Sequence, residues 1–263
     1  MNRVGLLRQV KAKLEAVVQD FRLSESRKRD VLTSHREAFE KAGLSYDLAT
    51  SVITSIFERL QEPRTDISMH YEVFAGISQV QEVKRVLEIG TSTGGFTRFL
   101  AELFPQAQIE TWDLPSESFN NPMTGSYKNI QIGYGDQTKK SRETLDDVLN
   151  VVQVRKDSTL LAFESNEFDV IWVDGDHTYP VAAFDIINSL RLTARGGWIC
   201  VDDIRLRDTG RGVLGSQETY YSVKHLEGAG LVSLHLVMKR LDHASMLLEP
   251  DSRKYIAVMR RLI

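Results

Sequence analysis

The sequence predicts a doubly wound α/β fold with a mostly parallel sheet, an antiparallel C-terminal hairpin and a helical N-terminal extension. From residue 84 onward, short β-rich runs alternate with helical stretches, the pattern of strands joined by crossover helices. Several of these runs are apolar throughout, as expected for strands buried on both faces of a parallel sheet. A glycine-rich turn follows the first run, where such folds place a ligand-binding loop.

Residues 1–65 form the predicted helical extension. Apolar residues recur every three or four positions between residues 4 and 21, and Ser24 and Ser45 are candidate N-caps of two further helices. Short amphipathic helices need a surface on which to pack. We therefore expect the extension either to cover the cleft of the main domain, residues 66–263, or to build a homo-oligomer interface.

Seven strands are predicted in the main domain. The C-terminal hairpin uses residues 231–240 and 254–262, and the parallel part of the sheet uses residues 85–89, 108–112, 151–155, 168–173 and 197–201. The connection at about residues 114–150 is too long for an ordinary turn. It is predicted to be an insertion with a β-like run at 129–134 and an amphipathic run at 141–149.

Composition limits the classes of function. The 263 residues are 42% hydrophobic and 26% charged, with a net charge of −3 and one cysteine, Cys200. This excludes a disordered chain, and the absence of a possible disulfide within these residues favours a reducing, cytoplasmic location. No segment approaches the roughly 20 apolar residues of a membrane span, and the acidic balance argues against nucleic-acid binding. A small-molecule substrate is expected.

The turn after the first strand carries the strongest local signal. Glycines let the backbone approach a ligand, and the N-terminus of the following helix offers free N–H groups to an anion. Ser92 stands where a dinucleotide-binding turn needs its second glycine, and Phe96 stands where a phosphate-binding P-loop needs lysine. The pattern present is E-x-G-x-x-x-G, formed by Glu88, Gly90 and Gly94.

This pattern resembles the first motif of class I S-adenosylmethionine-dependent methyltransferases, which have a Rossmann-like sheet. The resemblance implies that the turn, comprising Gly90, Thr91, Ser92 and Gly94, holds the methionine end of the cofactor. It also implies that Glu88 helps to orient the loop and the cofactor's ammonium group. An ordinary tight turn between a strand and a helix is the alternative interpretation.

Acidic residues after the next two strands support a nucleoside site. Asp113 ends the second strand, 25 residues after Glu88, where a carboxylate can accept hydrogen bonds from both ribose hydroxyls. Asp157 and Ser158 follow the third strand, the place that recognises the adenine amino group in the methyltransferases that the turn resembles. Asp136, in the insertion, is the alternative partner for adenine.

A second group of acidic residues follows the fourth and fifth strands. Asp174, Asp176 and His177 come after the fourth strand, and Asp202 and Asp203 come after the fifth. The carboxyl ends of these strands meet at one edge of the sheet. Carboxylates that converge repel one another, and a divalent cation such as Mg²⁺ or Ca²⁺ is the simplest counter-charge. A surface turn and a helix cap are the alternative interpretations of the two motifs.

The acidic group resembles that of a metal-dependent O-methyltransferase family whose members include enzymes acting on sugars of macrolide and aminocoumarin antibiotics. The resemblance covers roughly residues 84–204. It implies that Asp174, Asp202 and Asp203 bind the metal, expected to be Mg²⁺, and that His177 or Asp176 is the general base. Two other functions stay open: a glycosyltransferase that uses Asp-Gly-Asp to bind a metal and a nucleotide, and a methyltransferase-like protein that binds a ligand without turnover.

Overall fold

A seven-stranded sheet organises the protein in the computed structural model, which describes residues 25–61, 64, 68–115, 134–177, 179–207, 217–240 and 253–263. The strands are β1 (Arg85–Ile89), β2 (Gln108–Asp113), β3 (Val151–Arg155), β4 (Phe168–Val173), β5 (Thr193–Arg205), β6 (Val232–Met238) and β7 (Lys254–Arg261). Their order across the sheet is β3-β2-β1-β4-β5-β7-β6.

The five strands from β3 to β5 are parallel, and β7 pairs antiparallel with both β5 and β6. Sequence order reverses between β1 and β4, so the carboxyl ends of these two strands border a crevice in which open α/β sheets bind ligands. The predicted fold class, including the antiparallel C-terminal pair, is confirmed.

Helices cover both faces of the sheet. They are α1 (Glu25–Lys41), α2 (Tyr46–Leu60), α3 (His70–Ser78), α4 (Gly95–Leu103), α5 (Tyr134–Leu145), α6 (Val181–Leu192) and α7 (Gln217–Gly228), with a 3₁₀ helix at Ser158–Phe163. Among the described residues, no helix is both long enough and apolar enough to cross a membrane.

Each central strand contributes to two hydrophobic cores because its side chains alternate between the two faces of the sheet. In β4, Val170 and Trp172 pack in the core that contains the N-terminal helices. Ile171 and Val173 pack in the opposite core, beneath α6 and α7. Burial on both faces explains why this strand is an apolar run rather than an alternating one.

The predicted helix after Ser45 is present. The Ser45 hydroxyl accepts a hydrogen bond from the N–H of Leu48 and caps α2. Phe57 of α2 packs against Tyr71 of α3 and Phe99 of α4, so this part of the extension lies on the main domain. The helix predicted within residues 4–21 and the cap Ser24 lie outside the described residues.

Two boundaries differ from the predictions. In the insertion, α5 begins at Tyr134, where the β-like run was expected to end, and stops at Leu145; residues 129–133 lie outside the described residues. Strand β5 extends beyond residue 201 because its pairing with β7 resumes at Ile204 after a bulge. Asp202 and Asp203 therefore lie inside a strand, which excludes the interpretation of this pair as a helix cap.

Candidate functional site

The glycine turn is in direct contact with the acidic loop. Gly90 has a φ of +104°, and a Cβ atom on it would lie 2.3 Å from the carbonyl oxygen of Asp174. The N–H of Asp174 in turn donates to the carbonyl of Ile89. Only glycine allows this approach, so the ends of β1 and β4 form one continuous surface.

Glu88 is fixed from inside the fold. Its carboxylate accepts hydrogen bonds from the hydroxyls of Thr97 (2.5 Å) and Thr111 (2.6 Å), and Thr111 also contacts Thr91 of the turn. Burial raises the pKa of Glu88 to about 7, although the two hydroxyls act in the opposite direction. These bonds connect the turn to α4 and β2, and the role of Glu88 in orienting the loop toward a cofactor stays a prediction.

Asp113 lies against the same turn. Its Oδ2 accepts from the N–H of Ser92 at 3.0 Å, its Oδ1 accepts from the N–H of Leu114 at 2.8 Å, and Arg155 Nη1 is 3.5 Å from Oδ2. Burial raises the pKa of Asp113 despite these partners. The carboxylate is thus held at the end of β2, beside the turn, as a ribose-binding residue would require.

The two candidates for adenine recognition lie in different elements. Asp157 caps the 3₁₀ helix, because its Oδ1 accepts from both the N–H (2.9 Å) and the hydroxyl (2.7 Å) of Thr159. Ser158 begins that helix. Asp136 lies within α5 rather than in a loop. Asp157 therefore has a structural role that is sufficient to explain it, and its role toward adenine stays a prediction.

The strand ends bring three of the predicted acidic-site residues together. Asp174, His177 and Asp202 each offer one potential ligand atom, and these atoms lie within 4.8 Å of one another. His177 Nε2 is 3.5 Å from Asp174 Oδ1 and 3.8 Å from Asp203 Oδ2. Asp203 has a φ of +54° in the β5 bulge, and its carboxylate is nearly fully buried.

Two lysines that sequence reasoning missed neutralise the Asp pair. The Lys239 ammonium contacts Asp202 Oδ2 and lies 2.6 Å from Asp203 Oδ1, and the Lys254 ammonium contacts Asp203 Oδ2. Both lysines come from the β6–β7 hairpin, where the N–H of Lys239 donates to the carbonyl of Lys254. Placing the predicted hairpin beside the fifth strand would have revealed them.

These charges shift the pKa values within the site. Burial, and then repulsion by Asp202, raise the pKa of Asp174 well above its usual value. Burial also acts to raise the pKa of Asp203, but Lys239, His177 and Lys254 outweigh it, so the net direction is downward. For His177, burial lowers the pKa more than the neighbouring carboxylates raise it. The imidazole of His177 is therefore neutral near pH 7 and able to accept a proton.

A cleft of about 360 Å³ opens over this group. Its lining combines acidic, basic and imidazole side chains from the loop after β4, from β5, from the segment after β6 and from the segment that leads into α3: Ser68, His70, Asp174, His177, Asp202, Lys239 and Arg240. The segment is attached to the β6 end, because the N–H of Met69 donates to the carbonyl of Lys239 at 2.7 Å. Of the two candidate bases, His177 lines the cleft, whereas Asp176 lies on the same loop outside the lining.

His70 is a further cleft residue that the predicted site lacks. Its ring is packed by Tyr71, Phe96 and Trp172, and burial lowers its pKa to about 3. Its Nδ1 has no hydrogen-bond partner in the part of the chain that the structure describes. The position of this residue just before the sheet was visible in the sequence, but its proximity to the strand ends was not.

The donor set fits a divalent cation, with one change from the prediction. Asp202 Oδ1 is buried without a hydrogen-bond partner among the described residues, and carboxylate and imidazole ligands lie close to it. Asp203, in contrast, has both oxygens in contact with ammonium groups. The grouping that the structure brings together is Asp174, His177 and Asp202, rather than the predicted Asp174, Asp202 and Asp203.

Comparison with known proteins agrees with this geometry. Residues 87–204 match the family model of a methyltransferase domain, and this segment contains both the glycine turn and the acidic group. No curated protein sequence is significantly similar to the chain. The predicted resemblance to class I S-adenosylmethionine-dependent methyltransferases is confirmed, and the match favours this class over the glycosyltransferases.

Solved structures share the fold at low sequence identity. The O-methyltransferase TomG from Streptomyces achromogenes, involved in tomaymycin synthesis and solved in complex with SAM, is 16% identical with a TM-score of 0.54, over 88% of this chain and 96% of TomG. A proposed O-methyltransferase from Klebsiella pneumoniae is 17% identical with a TM-score of 0.53, over 89% and 90% of the two chains. Cofactor-bound Rv0187 from MTB is 18% identical with a TM-score of 0.52, over 81% and 89%.

Proposed function

We propose that the protein transfers the methyl group of S-adenosylmethionine to a hydroxyl oxygen of a small molecule, assisted by a divalent cation. The observation that carries this proposal is the contact between Gly90 and the backbone of Asp174. It joins a turn of the cofactor-binding type to a cleft lined by carboxylates and a neutral imidazole. A methyl donor in the turn and an acceptor in the cleft would therefore be neighbours.

The cofactor assignment rests on two anchors beside the turn, a helix N-terminus that can bind a carboxylate and an aspartate that can bind a ribose. Gly94 is the N-cap of α4 and has a φ of +79°, so the first N–H groups of α4 are available to a carboxylate. Asp113 supplies the acceptor for ribose hydroxyls from the end of β2. The family match over residues 87–204 includes both anchors.

Methyl transfer to a hydroxyl requires alignment, exclusion of water and removal of a proton. A bound divalent cation would lower the pKa of the acceptor hydroxyl, and Asp174 and Asp202 would hold it. Mg²⁺ commonly uses only one or two carboxylates, which leaves His177 for the proton. We assign the role of general base to His177, which lines the cleft and whose pKa is lowered by burial.

The acceptor is proposed to be small because the cleft has a volume of about 360 Å³, within the range of small-molecule sites. O-methylation is favoured by the mixed acidic and imidazole lining, and two of the structural neighbours bear O-methyltransferase names. A cytoplasmic location and a homo-oligomer built by the N-terminal helices stay predictions from the sequence.

Calorimetric titration with S-adenosylhomocysteine, with and without Mg²⁺, tests the cofactor assignment. The proposal expects saturable binding at one site per chain. A panel of hydroxylated small molecules, including sugars, is then screened with S-adenosylmethionine by release of S-adenosylhomocysteine. Binding without turnover across the panel would favour the ligand-binding interpretation, and no binding at all would refute the proposed function.

A further inference from the structure

The two oxygens of Asp202 face different partners. One of its oxygens, Oδ2, contacts the ammonium of Lys239. The other, Oδ1, is buried and has no hydrogen-bond partner among the described residues, and Asp202 belongs to the grouping with Asp174 and His177 that could hold a metal. A cation in that grouping would therefore share a carboxylate with Lys239.

The two lysines are not equivalent. Lys239 contacts both Asp202 and Asp203, whereas Lys254 contacts Asp203 alone. Only 18% of the Lys239 side chain is exposed, so its charge is poorly screened. Its backbone is fixed by two hydrogen bonds, to Met69 on one side and to Lys254 on the other. If a cation bound beside Asp202 repels Lys239, the lysine can therefore move away only through a change in its flexible side chain.

We propose that the ammonium of Lys239 competes with a divalent cation for Asp202, so that this lysine sets the affinity of the site for the cation. Two like charges on one carboxylate repel each other, and a cation can bind tightly only if Lys239 withdraws. The ammonium groups of Lys239 and Lys254 balance the charges of Asp202 and Asp203, so the Asp pair attracts a divalent ion only weakly while Lys239 stays in place. The inference rests on the cation part of the proposed function.

Binding of Mn²⁺, a spectroscopic substitute for Mg²⁺, is measured by calorimetry and electron paramagnetic resonance on the full chain without an acceptor. Lys239→Met keeps an unbranched side chain only one atom shorter and removes its charge, and we expect it to bind Mn²⁺ at least about tenfold more tightly than the unmodified protein. Lys254→Met is the matched control, since it removes an equal charge that does not contact Asp202. We expect it to change the affinity less than about threefold.

The site of binding is checked by adding Asp202→Asn to the Lys239→Met variant, which is expected to abolish the gain in affinity. The proposal is overturned if Lys239→Met binds Mn²⁺ no more tightly than the unmodified protein, or if both lysine variants gain equally. It is also overturned if the gain survives Asp202→Asn, because the ion would then be bound elsewhere.

Removal of a buried charge can prevent folding, so the unmodified protein provides a second test. Reductive methylation labels lysine side chains through their neutral amine form, so a lysine released from an ion pair reacts faster, and mass spectrometry reads the rate at each residue. We expect Mg²⁺ to accelerate labelling of Lys239 and to leave Lys254 unchanged. An unchanged rate at Lys239 would contradict the proposal. Neither test uses cofactor or acceptor, so failure of the competition is distinguishable from failure of methyl transfer.

Discussion

The two halves of the proposed site are built in different ways. The cofactor half is centred on one continuous segment, where β1, the glycine turn and α4 follow one another between Arg85 and Leu103, and Asp113 joins it from the end of the next strand. The acceptor half collects side chains from the ends of β4, β5 and β6 and from the start of α3. A contiguous site is visible as a motif, whereas an assembled site depends on strand order and on long-range contacts.

The largest expected effect tests the contact that joins the two halves. Gly90→Ala places a methyl group 2.3 Å from the carbonyl oxygen of Asp174 in a backbone conformation that disfavours side chains. We expect the free energy of unfolding to fall by about 3 kcal/mol or more, with loss of cofactor binding. Urea denaturation and calorimetry with S-adenosylhomocysteine measure the two effects.

Gly196→Ala is the matched control for that variant. Gly196 has a φ of +76°, but a Cβ atom added to it would meet nothing within 4 Å, so this variant carries the backbone strain without the collision. We expect it to cost about 1–2 kcal/mol. Equal losses in the two variants would show that the contact between β1 and β4 contributes nothing beyond strain.

The second effect concerns the pH dependence of stability. Glu88 has a pKa of about 7 in the folded protein, raised from 4.5 by burial, so the folded state binds its proton more tightly than the unfolded state. Stability from this group is therefore present below pH 4.5 and is lost as the pH rises from 4.5 to 7. Glutamine does not titrate, so we expect the unfolding free energy of Glu88→Gln to fall less with rising pH than that of the unmodified protein, by about 3 kcal/mol. Unfolding free energies at pH 5 and pH 8 measure this difference.

Asp185 separates this linkage from cofactor binding. Burial also raises the pKa of Asp185 to about 7, but its carboxylate lies on α6, beside Ser158 rather than beside the glycine turn. Asp185→Asn keeps a hydrogen-bonding side chain beside Ser158, so we expect it to flatten the pH dependence in the same sense and to weaken S-adenosylhomocysteine binding less than Glu88→Gln does. Equal cofactor affinity in both variants would remove Glu88 from the loop-orienting role.

The sequence predicts the fold and the cofactor half well and the acceptor half only in part. Alternation of buried and helical runs placed all seven strands, and residues such as Glu88 and Asp113 lie at the strand ends where the motif put them. Lys239 and Lys254 could not be assigned, because their importance depends on β7 pairing beside β5. Likewise, repulsion among the carboxylates predicts a metal near Asp203, but the counter-charges that contact Asp203 are lysines distant from it in sequence.

A third effect compares two aspartates across the cofactor half. Asp113→Ala removes the predicted acceptor for ribose hydroxyls and should weaken S-adenosylhomocysteine binding by about 1.5–3 kcal/mol, as expected for lost charge-assisted hydrogen bonds. Asp147→Ala is the control, because Asp147 forms an exposed ion pair with Arg98 away from the turn. Calorimetry should show that the control binds S-adenosylhomocysteine with unchanged affinity. If Asp113→Ala also binds it with unchanged affinity, the ribose is bound elsewhere.

The smallest effect distinguishes two roles for Asp157, helix capping and adenine recognition. Asparagine caps helices nearly as well as aspartate, so Asp157→Asn preserves the bond to Thr159, while Asp157→Ala loses it. We expect Asp157→Asn to leave the unfolding free energy within about 0.5 kcal/mol and to weaken S-adenosylhomocysteine binding by about 1 kcal/mol. Asp157→Ala should lower both the unfolding free energy and the affinity for S-adenosylhomocysteine. If Asp157→Ala lowers stability alone and neither variant changes the affinity, Asp157 is only a cap, and the partner of adenine has to be sought in the insertion that contains Asp136.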